Sequence, residues 1–127
     1  MKYFTVKELA CKHCGGVALH PGFGEALDAL REDLREPMVA TSVCRCLEHN
    51  TDIKGHEHSL HIFDIPAHAA MGQEGALAAD IATPNADYRG RLLRKARQHG
   101  FSVGHGSTFL HLDRRDMIGL RQAEFNY

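Results

Sequence analysis

Phe101-Ser102-Val103-Gly104-His105-Gly106-Ser107-Thr108-Phe109-Leu110-His111-Leu112-Asp113 reads as two short alternating strands, with Gly104 to Ser107 as the turn between them. Side chains two apart on a strand share a face, so His111 and Asp113 point the same way. Upstream, Tyr88, Leu92 and Ala96 recur at helical spacing. Thr83 and Pro84 supply helix-start chemistry, and Gly100 a stop near His99. Ala76 to Ile81 is an apolar run suited to a buried strand. Residues 44–75 have a loop's composition. Met38 to Val43 reads as a strand, cut off by Pro37 from a helix over Gly22 to Arg35. The inner face of that helix is Ala26, Leu27, Leu30 and Leu34. Thr5 with Glu8 is a capping box for a short first helix, which Cys11 to Gly16 breaks. The expected architecture is α+β: one domain over residues 1–127, with a small antiparallel sheet and flanking helices.

Composition narrows the function classes. A net charge of −1 gives no global field for nucleic acid or anionic lipid, and the basic run Arg89 to Arg97 reads as a solvated helix face. No apolar stretch reaches the roughly 20 residues of a membrane span. The first eight residues lack the apolar region of a signal peptide, so the expectation is a protein cytoplasmic as synthesised. Ten histidines in 127 residues justify a search for metal ligands.

Three segments carry chemistry: Ser59-Leu60-His61, Ala78-Ala79-Asp80-Ile81 and Phe109 to Asp113. His61, Asp80 and His111 would make a three-ligand zinc site with a fourth position open, the arrangement a hydrolytic metal needs. Spacing alone leaves each residue open to an ordinary reading as a surface or hydrogen-bonded side chain.

The surrounding residues resemble the zinc D-Ala-D-Ala carboxypeptidase family, which shares its fold with hedgehog signalling domains and includes phage endolysins. Its pattern, Ser-x-His, then Ala-x-Asp, then His-x-Asp, is matched in order by Ser59 to His61, Ala78 to Asp80 and His111 to Asp113. Phe4 to Cys11, Leu27 to Arg31, Thr41 to Asn50, then Gly100-Phe101, Gly104 and Phe109 to Arg115, extend the likeness over nearly the whole chain. The resemblance implies a hedgehog/DD-peptidase-like fold and zinc held by His61, Asp80 and His111. It also implies that Arg45 grips a substrate carboxylate, with Ser42 and Ser59 shaping the pocket. The alternative for Arg45 is a structural salt bridge with Glu48 or an Asp.

Two departures stand out. Nineteen positions separate His61 from Asp80, against a short gap in the family, and Ala76 replaces the usual Gly. Residues 62–75 therefore read as an inserted surface loop, a lid or a specificity element, with Asp64 and His68 as rival ligands. No carboxylate precedes His111, so Asp113, His105 and Glu74 become the candidates for the general base. Asp113 could instead orient the His111 ring.

Cys11-x-x-Cys14 and Cys44-x-Cys46 leave three alternatives open: a structural zinc site, one or two disulfides, or reduced thiols with no joint role. The family often has Cys at similar places, which implies a tie between the N-terminal segment and the Arg45 loop. The expected function is a monomeric zinc metallopeptidase cutting peptidoglycan stem peptides, as carboxypeptidase or endopeptidase, at the cell wall after release. The alternative is a zinc-containing module that binds cell-wall peptide or a protein without catalysis.

Overall fold

The structure is a computed structural model and describes residues 1–55, 59–64 and 69–127. In chain order its elements are α1 (Val6–Leu9), α2 (Phe23–Leu34), β1 (Ala40–Ser42), α3 (Leu47–Asp52), β2 (Ala78–Ala82), α4 (Ala86–Gln98), β3 (Ser102–His105), β4 (Phe109–Asp113) and β5 (Glu124–Asn126). A 3-10 turn, Arg115–Ile118, links β4 to the last strand. The five strands form one sheet in the order β1-β2-β4-β3-β5, antiparallel except for the β3–β5 pair.

Alternation divides the sheet into a core face and a site face. Leu110 and Leu112 of β4 lie beside Ile81 and Ala79 of β2, and all four are buried in the core. Phe109, His111 and Asp113 take the other face, beside Ala82, Asp80 and Ala78. Helices α2 and α4 pack on one another, and α4 lies on β3 and β4. Phe23, Leu27, Leu30 and Leu34 from α2 meet Leu92 and Ala96 from α4 in that core. Each large apolar side chain buried there contributes about 1.5–3 kcal/mol.

The local signals act largely as the residues suggest. Thr5 accepts from the Glu8 amide while the Glu8 carboxylate accepts from the Thr5 amide, closing the capping box. The cap of α4 is Asn85, whose side chain accepts from the Tyr88 amide; Thr83 instead accepts from Arg89 Nη1. The stretch 44–75, expected to be loop, contains α3. Cys46 caps it, and Asp64 Oδ1 accepts from the Leu47 amide. Nor is 62–75 wholly a surface loop, because Ile62 and Gln73 are buried. Gln73 Nε2 donates to the carbonyls of Leu60, Ile62 and Gly75. The basic run on α4 is paired rather than merely solvated: Arg91 with Glu36, Lys95 with Asp33, Arg97 with Glu124.

Strand β5 was not legible as a strand. Phe125 crosses β3 at Gly104, where an added Cβ would stand 2.6 Å from its ring, so a larger residue would push that ring aside. Glu124 joins β5 to α4 through paired bonds from Arg97, at 2.7 and 2.6 Å.

Two outcomes are expected. Leu30→Ala should lower unfolding free energy by about 2–5 kcal/mol, read by urea denaturation. The Glu124 carboxyl is held at about 2, chiefly by Arg97 and then by His105, against the usual 4.5. Its clamp is therefore fully present above about pH 4.5 and is lost as pH falls toward 2. Hydrogen exchange in β5, corrected for intrinsic rates, should accelerate over that window in the wild type and be insensitive to it in Glu124→Gln.

Candidate metal centre

The register of β2 against β4 sets Asp80 directly beside His111. His61 arrives from outside the sheet. Its segment pairs with Arg45 through an isolated bridge, in which the Arg45 amide donates to the His61 carbonyl and the Phe63 amide to the Arg45 carbonyl. Leu77 N donates to Leu60 O at 2.9 Å, which ties the same segment to the start of β2. Local turn chemistry completes the placement: Ser59 Oγ accepts from the His61 amide.

All three side chains are buried. His61 Nε2 lies 3.1 Å and His111 Nδ1 3.3 Å from Asp80 Oδ1. Outer partners fix both rings. His61 Nδ1 is 2.8 Å from the Val43 carbonyl, which can only accept, so Nδ1 carries the proton and Nε2 offers its lone pair. His111 Nε2 donates to Asp113 Oδ2 at 2.8 Å, which turns Nδ1 toward Asp80. Asp113 is itself held by Arg115, through the backbone amide, Nε and Nη2. Asp80 Oδ2 accepts from Arg45 Nη2 at 3.0 Å, leaving Oδ1 for the centre.

The electrostatics agree with a cation site. Burial works against charge on Asp80, yet His61 and His111 hold its carboxyl well below the ordinary range. Burial lowers the His61 pKa. For His111 burial is outweighed by the bonds to Asp113 and Asp80, and its pKa rises. Two ring nitrogens and a carboxylate oxygen thus face one point, an arrangement that a cation there, or a proton on His111, balances. Ligand atoms around a tetrahedral zinc with these donors stand about 3.3 Å apart. The observed 3.1 and 3.3 Å fit that spacing. His61, Asp80 and His111 are the residues that would hold the metal.

Asp80 and His111 open onto a cavity of about 1010 Å³. Arg45, Lys54 and Arg115 bring positive charge to its wall; Leu60, Phe109 and Phe125 bring apolar surface. Ser59 lines it as well. Ser42 sits behind Arg45, accepting from Nε at 3.0 Å. The expected alternative of a structural bridge is thus realised in part: Arg45 pairs with Asp80, not Glu48, and Nη1 donates to Asn50 Oδ1. These bonds use three of the five guanidinium N–H groups.

The structure does not bring every candidate together. His105 pairs in register with Leu110, so it lies on the face opposite His111, and its ring meets Glu124 at 3.3 Å. Glu74 is exposed and does not line the cavity. Asp64 caps α3, outside the centre. His68 lies outside the described residues. Lys54, Arg115, Tyr127 and the Val43 carbonyl were missed. Arg115 carries a readable signal, two residues beyond Asp113 on the strand's exit. The Val43 carbonyl carries none, because any residue supplies one. Tyr127 closes one side of the cavity, its ring 6.2 Å from that of His111. Burial and then the Asp80 charge push its hydroxyl up to about 12.

A model of the peptidase M15 family matches residues 2–113. The chain belongs to that family and is a metallopeptidase of the zinc D-Ala-D-Ala carboxypeptidase type. Neither a curated protein nor a solved structure matches it.

Asp113→Asn removes the charge that orients His111 while keeping the shape of the side chain. Zinc affinity should fall by about 10–100-fold, read by competition with a chromophoric chelator, with the circular dichroism spectrum retained.

Proposed function

We propose that this metallopeptidase hydrolyses an amide bond of peptidoglycan stem peptides, as a carboxypeptidase or endopeptidase acting near a D-amino acid. One observation carries the reading: His61 Nε2, Asp80 Oδ1 and His111 Nδ1 converge at the base of a cavity whose walls bear Arg45 and Lys54. When bound, zinc supplies Lewis acidity that polarises a peptide carbonyl and acidifies a water molecule.

The chain's own residues do the rest. Val43 and Asp113 keep both imidazoles in the tautomer that presents a lone pair to the centre. Arg45 holds Asp80 Oδ2 and turns its two unused N–H groups to a substrate carboxylate, for which a guanidinium fork is suited. Lys54 has no ion-pair partner among the described residues and adds a second cation on the same wall. Ser59 lines the cavity, which supports a hydrogen bond from it to the peptide backbone. Asp113 acts as a positioning residue, since Arg115 and His111 occupy both its oxygens.

In this reading the protein works as a monomer, is made in the cytoplasm and meets the cell wall after release. Among the described residues no helix is long and apolar enough to cross a membrane.

A second reading has its own observation. Asp80 and Asp113 are the carboxylates lining the cavity among the described residues, and both are already committed. A module that holds zinc and binds cell-wall peptide without turnover accords with that.

Digestion of purified peptidoglycan, followed by chromatography of released peptides, separates the two. Turnover abolished by chelator, restored by zinc and absent in His111→Ala is expected. Lys54→Ala should raise KM about tenfold, the scale of one charge-assisted contact, with kcat nearly unchanged. Zinc-loaded, folded protein that binds muropeptides and cleaves none would establish the binding module instead.

A further inference from the structure

Away from the cavity, the N-terminal hook and the start of α3 gather a second set of metal-ligating atoms. Cys11, Cys14 and Cys46 place their sulfurs within 4.8 Å of one another. His13 Nδ1 lies 3.5 Å from Cys46 Sγ, at the edge of this group rather than within reach of all three sulfurs. In a tetrahedral zinc site, sulfur and nitrogen ligands stand about 3.6 Å apart, and two sulfurs about 3.8 Å. Cys44, two residues from Cys46, is not part of this group. Its Sγ turns toward the Ala18 carbonyl, and burial raises its pKa.

The backbone is arranged to receive charge on these sulfurs. Each of the three accepts a main-chain N–H: Cys11 from Cys46 at 3.3 Å, Cys14 from Gly16 at 3.4 Å, Cys46 from His49 at 3.3 Å. Such bonds favour the thiolate, which is the form that ligates metal. The hook is closed by hydrogen bonds from Gly15 N to Cys11 O and Cys11 N to Gly16 O, and Gly15 takes the positive φ that this tight turn requires. His13 Nε2 faces Glu48 Oε1 at 3.8 Å, the kind of outer carboxylate that orients a ligating imidazole.

We infer that Cys11, Cys14 and Cys46 form a structural zinc site that pins the N-terminal hook to the start of α3, with the neighbouring His13 turning in to complete the shell. Three thiolates this close repel one another unless a cation lies among them. Four protein ligands complete the shell, so this ion has no open position and serves structure. Cys46 follows Arg45 directly, so the site also fixes the backbone from which that guanidinium projects. The inference is independent of the reading of the cavity.

The full chain, produced with zinc and with thiols blocked at lysis in a parallel sample, provides the test. Cobalt-exchanged wild type and His111→Ala should both show intense near-ultraviolet thiolate-to-cobalt absorption. Cys14 is exposed, so Cys14→Ser should fold, lose that band and hold about one zinc equivalent fewer than wild type. Wild type with one zinc and a full band would support this site and count against the one at His61. Cobalt-loaded wild type without the band, unchanged zinc in Cys14→Ser, or a disulfide between any two of the three cysteines in the blocked sample would overturn it.

Discussion

Two imidazole lone pairs and a carboxylate oxygen, all buried, are forced to face one another, and the rest of the molecule exists to hold them so. Left alone they would turn away or take up protons, because burying unpaired acceptors is costly. The fold prevents this by giving every ligand an outer partner: Val43 for His61, Asp113 for His111, Arg45 for Asp80. Those partners are themselves held, Asp113 by Arg115 and Arg45 by Ser42 and Asn50. The centre is thus ordered before any ion arrives, and binding energy is not spent on arranging it.

The sheet supplies the rigid part of this arrangement. Asp80 and His111 stand on adjacent central strands, where antiparallel register leaves no freedom to slip without exchanging core and site faces. The helices lock that register from behind through Leu110, Leu112 and Ile81. The loop-borne members, His61 and Arg45, are paired with each other by backbone hydrogen bonds and so move as one unit. The cysteine group sits at the other end of that unit, next to Arg45 along the chain.

Much of this was legible in the residues, for identifiable reasons. Alternation exposed β4 and its two site residues, helical spacing exposed α2 and α4, and the three His/Asp segments stood out by pattern. Features that depend on contacts between distant segments were not readable. β5 is three residues long and follows a turn, so its periodicity is too short to register. α3 is short and rich in polar residues, and its stability comes from the Cys46 cap and the Asp64 contact rather than from an apolar stripe. His105 was misjudged because chemical type suggested a base, while face is set by register with Leu110. The cysteines read as two sequence pairs, yet space groups Cys46 with Cys11 and Cys14, because the chain turns into α3 at Cys46 while Cys44 Sγ faces the Ala18 carbonyl.

The bond between Leu60 and Leu77, reinforced by Gln73, makes the intervening chain a splice point. Both ends are stitched together before the excursion begins, so the distance between His61 and Asp80 does not depend on how many residues lie between them. Because closure entropy grows only logarithmically with length, residues inserted between the buried Ile62 and Gln73 cost little.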